Sequence, residues 1–167
     1  MRTIYFAGPD VFNQDYAELK ARIRALCANH GLNQLLPGDL KLDSAESIFR
    51  HNLDLIDRAD GLIANLNPFR GVIEPDSGTV FECAYAFAKG KWVIGYLADP
   101  RDMLTKLRQA EAGPPEDGFF CRDGTWVEDF GLPLNLMLAH SLTDVAASLQ
   151  EAVELAAIYQ KKGDEND

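Results

Sequence analysis

The residue of greatest chemical interest is Glu82. It lies in Ser77–Lys89, where Val80, Phe81, Cys83, Ala84, Tyr85, Ala86, Phe87 and Ala88 are all apolar or aromatic. A helix built from this run should be largely buried, and a carboxylate inside it costs free energy unless it is paired or used. The helical neighbours three and four residues away are Gly78, Thr79, Tyr85 and Ala86, none of them cationic. Glu82 is therefore either a core-edge acid bonded to backbone or a distant base, or a working group, because buried unpaired carboxylates concentrate at functional sites. Asp76 opens the same helix. As N-cap it would accept from the Thr79 amide, and from that position it would also face the ligand edge of an α/β sheet. Asn52 interrupts the apolar stripe Ile48, Leu55, Ile56 and Ala59 of a second helix, so its amide needs partners, in a neighbouring loop or in a ligand. Tyr5 lies in a β-rich run and on its own reads as core. Asp60 reads as the start of a strand and nothing more.

These residues must be positioned by alternating strands and helices. Thr3–Ala7 reads as a first strand, stopped by Gly8-Pro9, and 15–29 carries a helical period through Tyr16, Leu19, Ile23, Leu26 and Cys27. A short strand over Gln34–Leu36 ends at Pro37-Gly38. Asp43 with Glu46 three residues later predicts the cap of a second helix running to about Ala59. Gly61–Leu66 is a third strand, Ser77–Lys89 the third helix, and Trp92–Leu97 a fourth strand, apolar on both sides and so central. The order predicts an α/β fold: a flavodoxin-like, doubly wound open sheet, mostly parallel, of about five strands with helices on both faces. Beyond Asp99 the pattern weakens. Arg101–Ala112 reads as helix, 113–118 as loop, 119–134 as the region of a fifth strand without a firm place, and Leu142–Tyr159 as a last helix. Residues 1–160 form one domain, and 161–167 a charged tail expected to be disordered.

Open α/β sheets bind ligands at the carboxyl ends of their strands. Three segments converge there: Phe6–Phe12, the loop after Leu36, and Asn67–Glu82. They contribute Gly8, Phe12 and Asp39 as candidate substrate contacts beside Asn52. The formal charge of −10 argues against nucleic-acid polymers, which require clustered Lys and Arg, and favours a small, weakly charged substrate. The apolar runs are far too short for a membrane span, and the N-terminus turns polar too soon for a secretory signal, so a cytoplasmic protein is expected. Neither the three cysteines nor the three histidines show metal-ligand spacing, and no metal is implied.

Ile4-Tyr5-Phe6-Ala7-Gly8, Asp76-Ser77-Gly78-Thr79-Val80-Phe81-Glu82 and Pro133-Leu134-Asn135-Leu136-Met137, in that order over roughly residues 3 to 140, resemble the nucleoside 2-deoxyribosyltransferases. The resemblance implies a flavodoxin-like enzyme that exchanges the nucleobase of a 2-deoxyribonucleoside for a free nucleobase, without a cofactor, through a covalent deoxyribosyl-enzyme intermediate. It implies Glu82 as the nucleophile, Asp76 as the carboxylate exchanging a proton with the base, and Tyr5 as the residue that positions the nucleophile. It also implies that Asn135 and Met137 reach the site of a neighbouring subunit, which makes the enzyme a homo-oligomer. Asn52 stands where some members carry Asp, which suggests a lean to purines, and the chain lacks the terminal tyrosine that closes some family sites. The sibling 2-deoxynucleoside 5-monophosphate N-glycosidases are the alternative. They favour Ser at the position of Asp76, where a carboxylate would repel a phosphate. A receiver-like signalling module is disfavoured, because Asn65-Leu66-Asn67 stands where a phosphate-accepting Asp would end the third strand.

Overall fold

Strand alternation decides where each helix packs. In the computed structural model, which describes residues 1–71, 73–110 and 113–164 (160–164 in backbone alone), five strands pair parallel in the order β2-β1-β3-β4-β5. They are β1 (Thr3–Ala7), β2 (Asn33–Leu35), β3 (Gly61–Asn65), β4 (Trp92–Tyr96) and β5 (Asp144–Ala146). This is the flavodoxin-like order, whose switch point lies between β1 and β3. β1 sends Ile4 and Phe6 to one face, where they meet α1 (Tyr16–Asn29) and α6 (Leu149–Asp164) through Ile23, Cys27, Ala152, Val153 and Ala156. It sends Tyr5 and Ala7 to the other face. There α2 (Ala45–Arg58), α3 (Ser77–Ala88) and α5 (Leu136–Ser141) supply Leu55, Ile56, Cys83, Ala86 and Leu138. Burying each large aliphatic side chain in these layers stabilises the fold by roughly 1.5–3 kcal/mol.

The main departures from the sequence reading are local. Residues 119–134 hold no strand among the described residues, only a single antiparallel bridge between Phe120 and Trp126. The fifth strand lies inside the stretch expected to be helical, because Asp144–Ala146 adds to the free edge of β4 in register with Ile94–Tyr96. Only after it does α6 begin, where the Ser148 hydroxyl accepts from the Glu151 amide at 3.2 Å and the Glu151 carboxylate accepts from the Ala147 amide at 2.8 Å. The cap of α2 is Ser44, not Asp43. Its hydroxyl accepts from the Ser47 amide at 3.1 Å while the Ser47 hydroxyl reaches back to the Ser44 amide at 3.3 Å. α4 (Met103–Arg108) is shorter than the expected 101–112, and residues 111–112 lie outside the described residues. α6 continues through Asp164, into the stretch expected to be a tail, and 165–167 lie outside the described residues.

Candidate active site

Glu82 and Tyr5 meet because their elements face each other. Tyr5 points from β1 toward the α2–α3 layer, and Glu82 lies one residue before Cys83, which packs into the same layer. The fully buried Tyr5 donates its hydroxyl to Glu82 Oε1 at 2.8 Å. Asn52, from α2, donates Nδ2 to the same oxygen at 3.3 Å. Glu82 Oε2 receives no hydrogen bond, and no cation pairs with the carboxylate, among the described residues. Burial pushes the Glu82 pKa up to about 7, against the pull of the Tyr5 and Asn52 bonds and with a further push from the Asp76 charge. The Tyr5 hydroxyl is itself held well above its ordinary range by burial and by the Glu82 charge, so it remains a donor.

Asp76 caps α3 as its position predicts. Its Oδ2 accepts from the Thr79 amide at 2.8 Å and from the Thr79 hydroxyl at 3.0 Å. Asp76 and Glu82 share a cleft of about 460 Å³ with Gly8 and Phe12 of the first loop, Pro37, Gly38 and Leu40 to Leu42 of the loop after β2, and Ile48, His51 and Asn52 of α2. The cleft opens beside the switch point, at the carboxyl end of β1, in the size range of small-molecule sites. Gly8 is crowded: a Cβ there would come 2.5 Å from the Asp10 carboxylate, which would have to move, and 3.0 Å from Asn65 Cβ.

Of the nine site residues read from the sequence, Glu82, Asp76, Tyr5, Asn52, Gly8 and Phe12 are brought together. Asp39 is not among the cleft's lining. Its carboxylate is held on the α1 side by Lys20 at 3.0 Å and Arg24 at 2.8 Å, and Gly38, Leu40, Lys41 and Leu42 line the cleft instead. Asn135 and Met137 lie outside their own chain's cleft. Asn135 caps α5 by accepting from the Met137 amide at 3.0 Å and donates to Glu128 at 2.6 Å. Ile48, assigned above to a core stripe, is 46% exposed and lines the cleft. His51 was missed. Its position beside Asn52 on an amphipathic helix was the available signal. The third helix is not wholly buried either. Thr79, Cys83 and Ala86 face inward, while Phe81 and Phe87 are 48% and 56% exposed.

Among the described residues no group of three or more His, Cys, Asp or Glu side chains is arranged to hold a metal ion, and no helix is long and apolar enough to cross a membrane. The family model for nucleoside 2-deoxyribosyltransferase matches residues 4–137. The chain belongs to that family. A solved 2-desoxiribosyltransferase from Leishmania mexicana is 40% identical, covering 94% of this chain and 97% of its own, with a TM-score of 0.80. A 2-deoxyribosyltransferase from Bacillus psychrosaccharolyticus, 18% identical with a TM-score of 0.56 over 91% of this chain and 90% of its own, shares the fold. An uncharacterized protein of Schizosaccharomyces pombe is 31% identical over 114 residues, which span 63% of this chain and 54% of that relative, so the match reaches little more than half of the relative's length. The family's matched region contains Tyr5, Asn52, Asp76, Glu82, Asn135 and Met137.

Proposed function

We propose that the protein transfers 2-deoxyribose from one nucleobase to another, with Glu82 as the group that carries the sugar. The observation that carries this reading is the bonding of Glu82: two donors fix one oxygen, and the other is unbonded on a residue that lines the cleft. As the C1–N bond of the nucleoside breaks, positive charge grows on the anomeric carbon, and a poorly solvated carboxylate facing it stabilises that charge and then bonds to the carbon. The bonding pair leaves with the base nitrogen, which takes a proton from Asp76. A second base then attacks the anomeric carbon, displaces the Glu82 carboxylate and returns a proton to Asp76. Two inversions give net retention, and water in place of the second base gives slow hydrolysis.

The α5 segment serves the cleft of a neighbouring copy. That accounts for Asn135 and Met137 lying outside their own chain's cleft and for the 74% exposure of Met137. Asn52 turns an amide toward the base, and purines are the favoured substrates. The test is to mix 2-deoxyinosine with free adenine without phosphate and follow the products by chromatography. 2-Deoxyadenosine is the expected product. Release of hypoxanthine alone would replace the transferase by a hydrolase, and an unchanged mixture would remove both.

A further inference from the structure

The turn Pro9–Phe12, a 3-10 helix whose Val11 and Phe12 line the cleft, is exposed along its outer side, yet its acidic residue points inward. The partly buried Asp10 receives Asn65 Nδ2 through both carboxylate oxygens, at 3.0 and 3.1 Å. Asn65 Oδ1 accepts in turn from the Asn67 side chain at 2.8 Å and the Asn67 amide at 3.1 Å, and Asn67 Oδ1 accepts from the Ala98 amide at 2.9 Å. One chain of amides thus runs across the carboxyl ends of β1, β3 and β4. The carboxylate also packs directly over Gly8, the residue at which the strand turns into the cleft. Burial raises the Asp10 pKa despite the Asn65 bond, so the fold accepts an unfavourable carboxylate to hold this turn. From the outside, Phe12 stacks on Phe69 at 5.6 Å, and the Arg70 guanidinium lies 5.1 Å from the first ring and 4.6 Å from the second.

We infer that Asp10, clamped by Asn65, is a positioning residue that sets the substrate-binding wall formed by Gly8, Val11 and Phe12. This rests on the transferase reading of the cleft and adds to it a residue that is not among the cleft's lining. A wall displaced by a fraction of an ångström weakens the hold on substrate while Glu82, fixed by Tyr5 and Asn52 from other elements, keeps its chemistry.

The experiment measures base exchange from 2-deoxyinosine to adenine in the full chain, comparing the wild type with Asp10→Ala and Asp10→Asn. Asn keeps an oxygen for Asn65 to donate to. Asp10→Ala is expected to raise KM about 10-fold with kcat changed less than about 2-fold, and Asp10→Asn to restore KM to within about 2-fold. A merely structural residue would behave differently, since a smaller folded fraction lowers apparent kcat and leaves KM alone. An unchanged KM in Asp10→Ala, or an Asp10→Asn as impaired as Asp10→Ala, overturns the positioning role while leaving the transferase reading intact. No exchange by the wild type overturns the transferase reading and this role with it.

Discussion

Helix α3 has two faces that invert the usual rule. Its inward side carries an acid, Glu82, beside Thr79, Cys83 and Ala86, and its outward side carries Phe81, Ala84 and Phe87. Ala84 and Phe87 continue into an apolar groove of about 280 Å³ with Val80, Leu136, Met137 and Leu138. A helix folding for stability alone would exchange these sets, since burying the aromatics and hydrating the acid would each lower the free energy. On the proposed reading the inner face is set by chemistry, and the outer face is the one a second copy of the chain would cover. Each half of this comparison can be broken separately.

The largest effect is expected from Glu82→Gln, which removes the negative charge and keeps an oxygen for Tyr5 and Asn52 to donate to. Base exchange should fall by on the order of 10⁴-fold or more. Stability should move the other way. The Glu82 pKa rises from 4.5 to about 7 on folding, so the native state binds the proton more tightly. The stabilisation this gives is full below pH 4.5 and lost as pH rises through about 7. Above pH 7 the wild type therefore bears a cost of about 3 kcal/mol that the glutamine variant escapes. Thermal unfolding at pH 8 should give the variant the higher Tm, with the difference vanishing at pH 4. A variant less stable than wild type at pH 8 would mean that the inner face is not held at an energetic cost.

The outer face is broken by Phe87→Glu. A charge at a 56% exposed position should leave the fold of the single chain within about 0.5 kcal/mol. If the groove seats a second copy, sedimentation should show the wild type as an oligomer and the variant as a monomer. Exchange should then drop about 10-fold or more as Asn135 and Met137 leave the neighbouring cleft. A monomeric wild type with full activity would separate the two faces and leave the outer one without a role in the reaction.

The two faces were not equally legible in the sequence. Glu82 stood out because its helical neighbours are apolar and uncharged, and Asp76 because an Asp three residues before Thr79 is a strong cap. Both are local patterns, and both survive folding. The outward aromatics were misassigned to the core, because composition cannot tell a face buried by its own chain from one left exposed. Asp39 was misplaced for a long-range reason: two cations of α1, nineteen and fifteen residues earlier in the chain, draw its carboxylate away. β5 was hidden by its length of three residues, with its helix following at once. The Ser148-x-x-Glu151 signature would have separated the two. The Asp10–Asn65 clamp joins residues fifty-five apart, a pairing that spacing does not reveal.

The smallest predicted effect sharpens the inner face rather than breaking it. Asn52 donates to Glu82 Oε1 at 3.3 Å, and that bond lowers the Glu82 pKa against the larger effect of burial. Asn52→Asp replaces the donor by a second carboxylate at the same place. One hydrogen bond to the carboxylate is lost, like charges at contact distance disfavour joint ionisation, and the pair then titrates in two coupled steps. On the proposed mechanism Glu82 attacks as the carboxylate, so the climb of wild-type kcat/KM that reports its ionisation should centre at about pH 7. In Asn52→Asp the climb should shift upward by about one pH unit, costing about 10-fold at pH 6 and little at pH 9. A pH profile that keeps its midpoint would mean that Asn52 meets the base alone. An upward shift means that the residue at position 52 tunes the charge of Glu82 through the amide that bonds it.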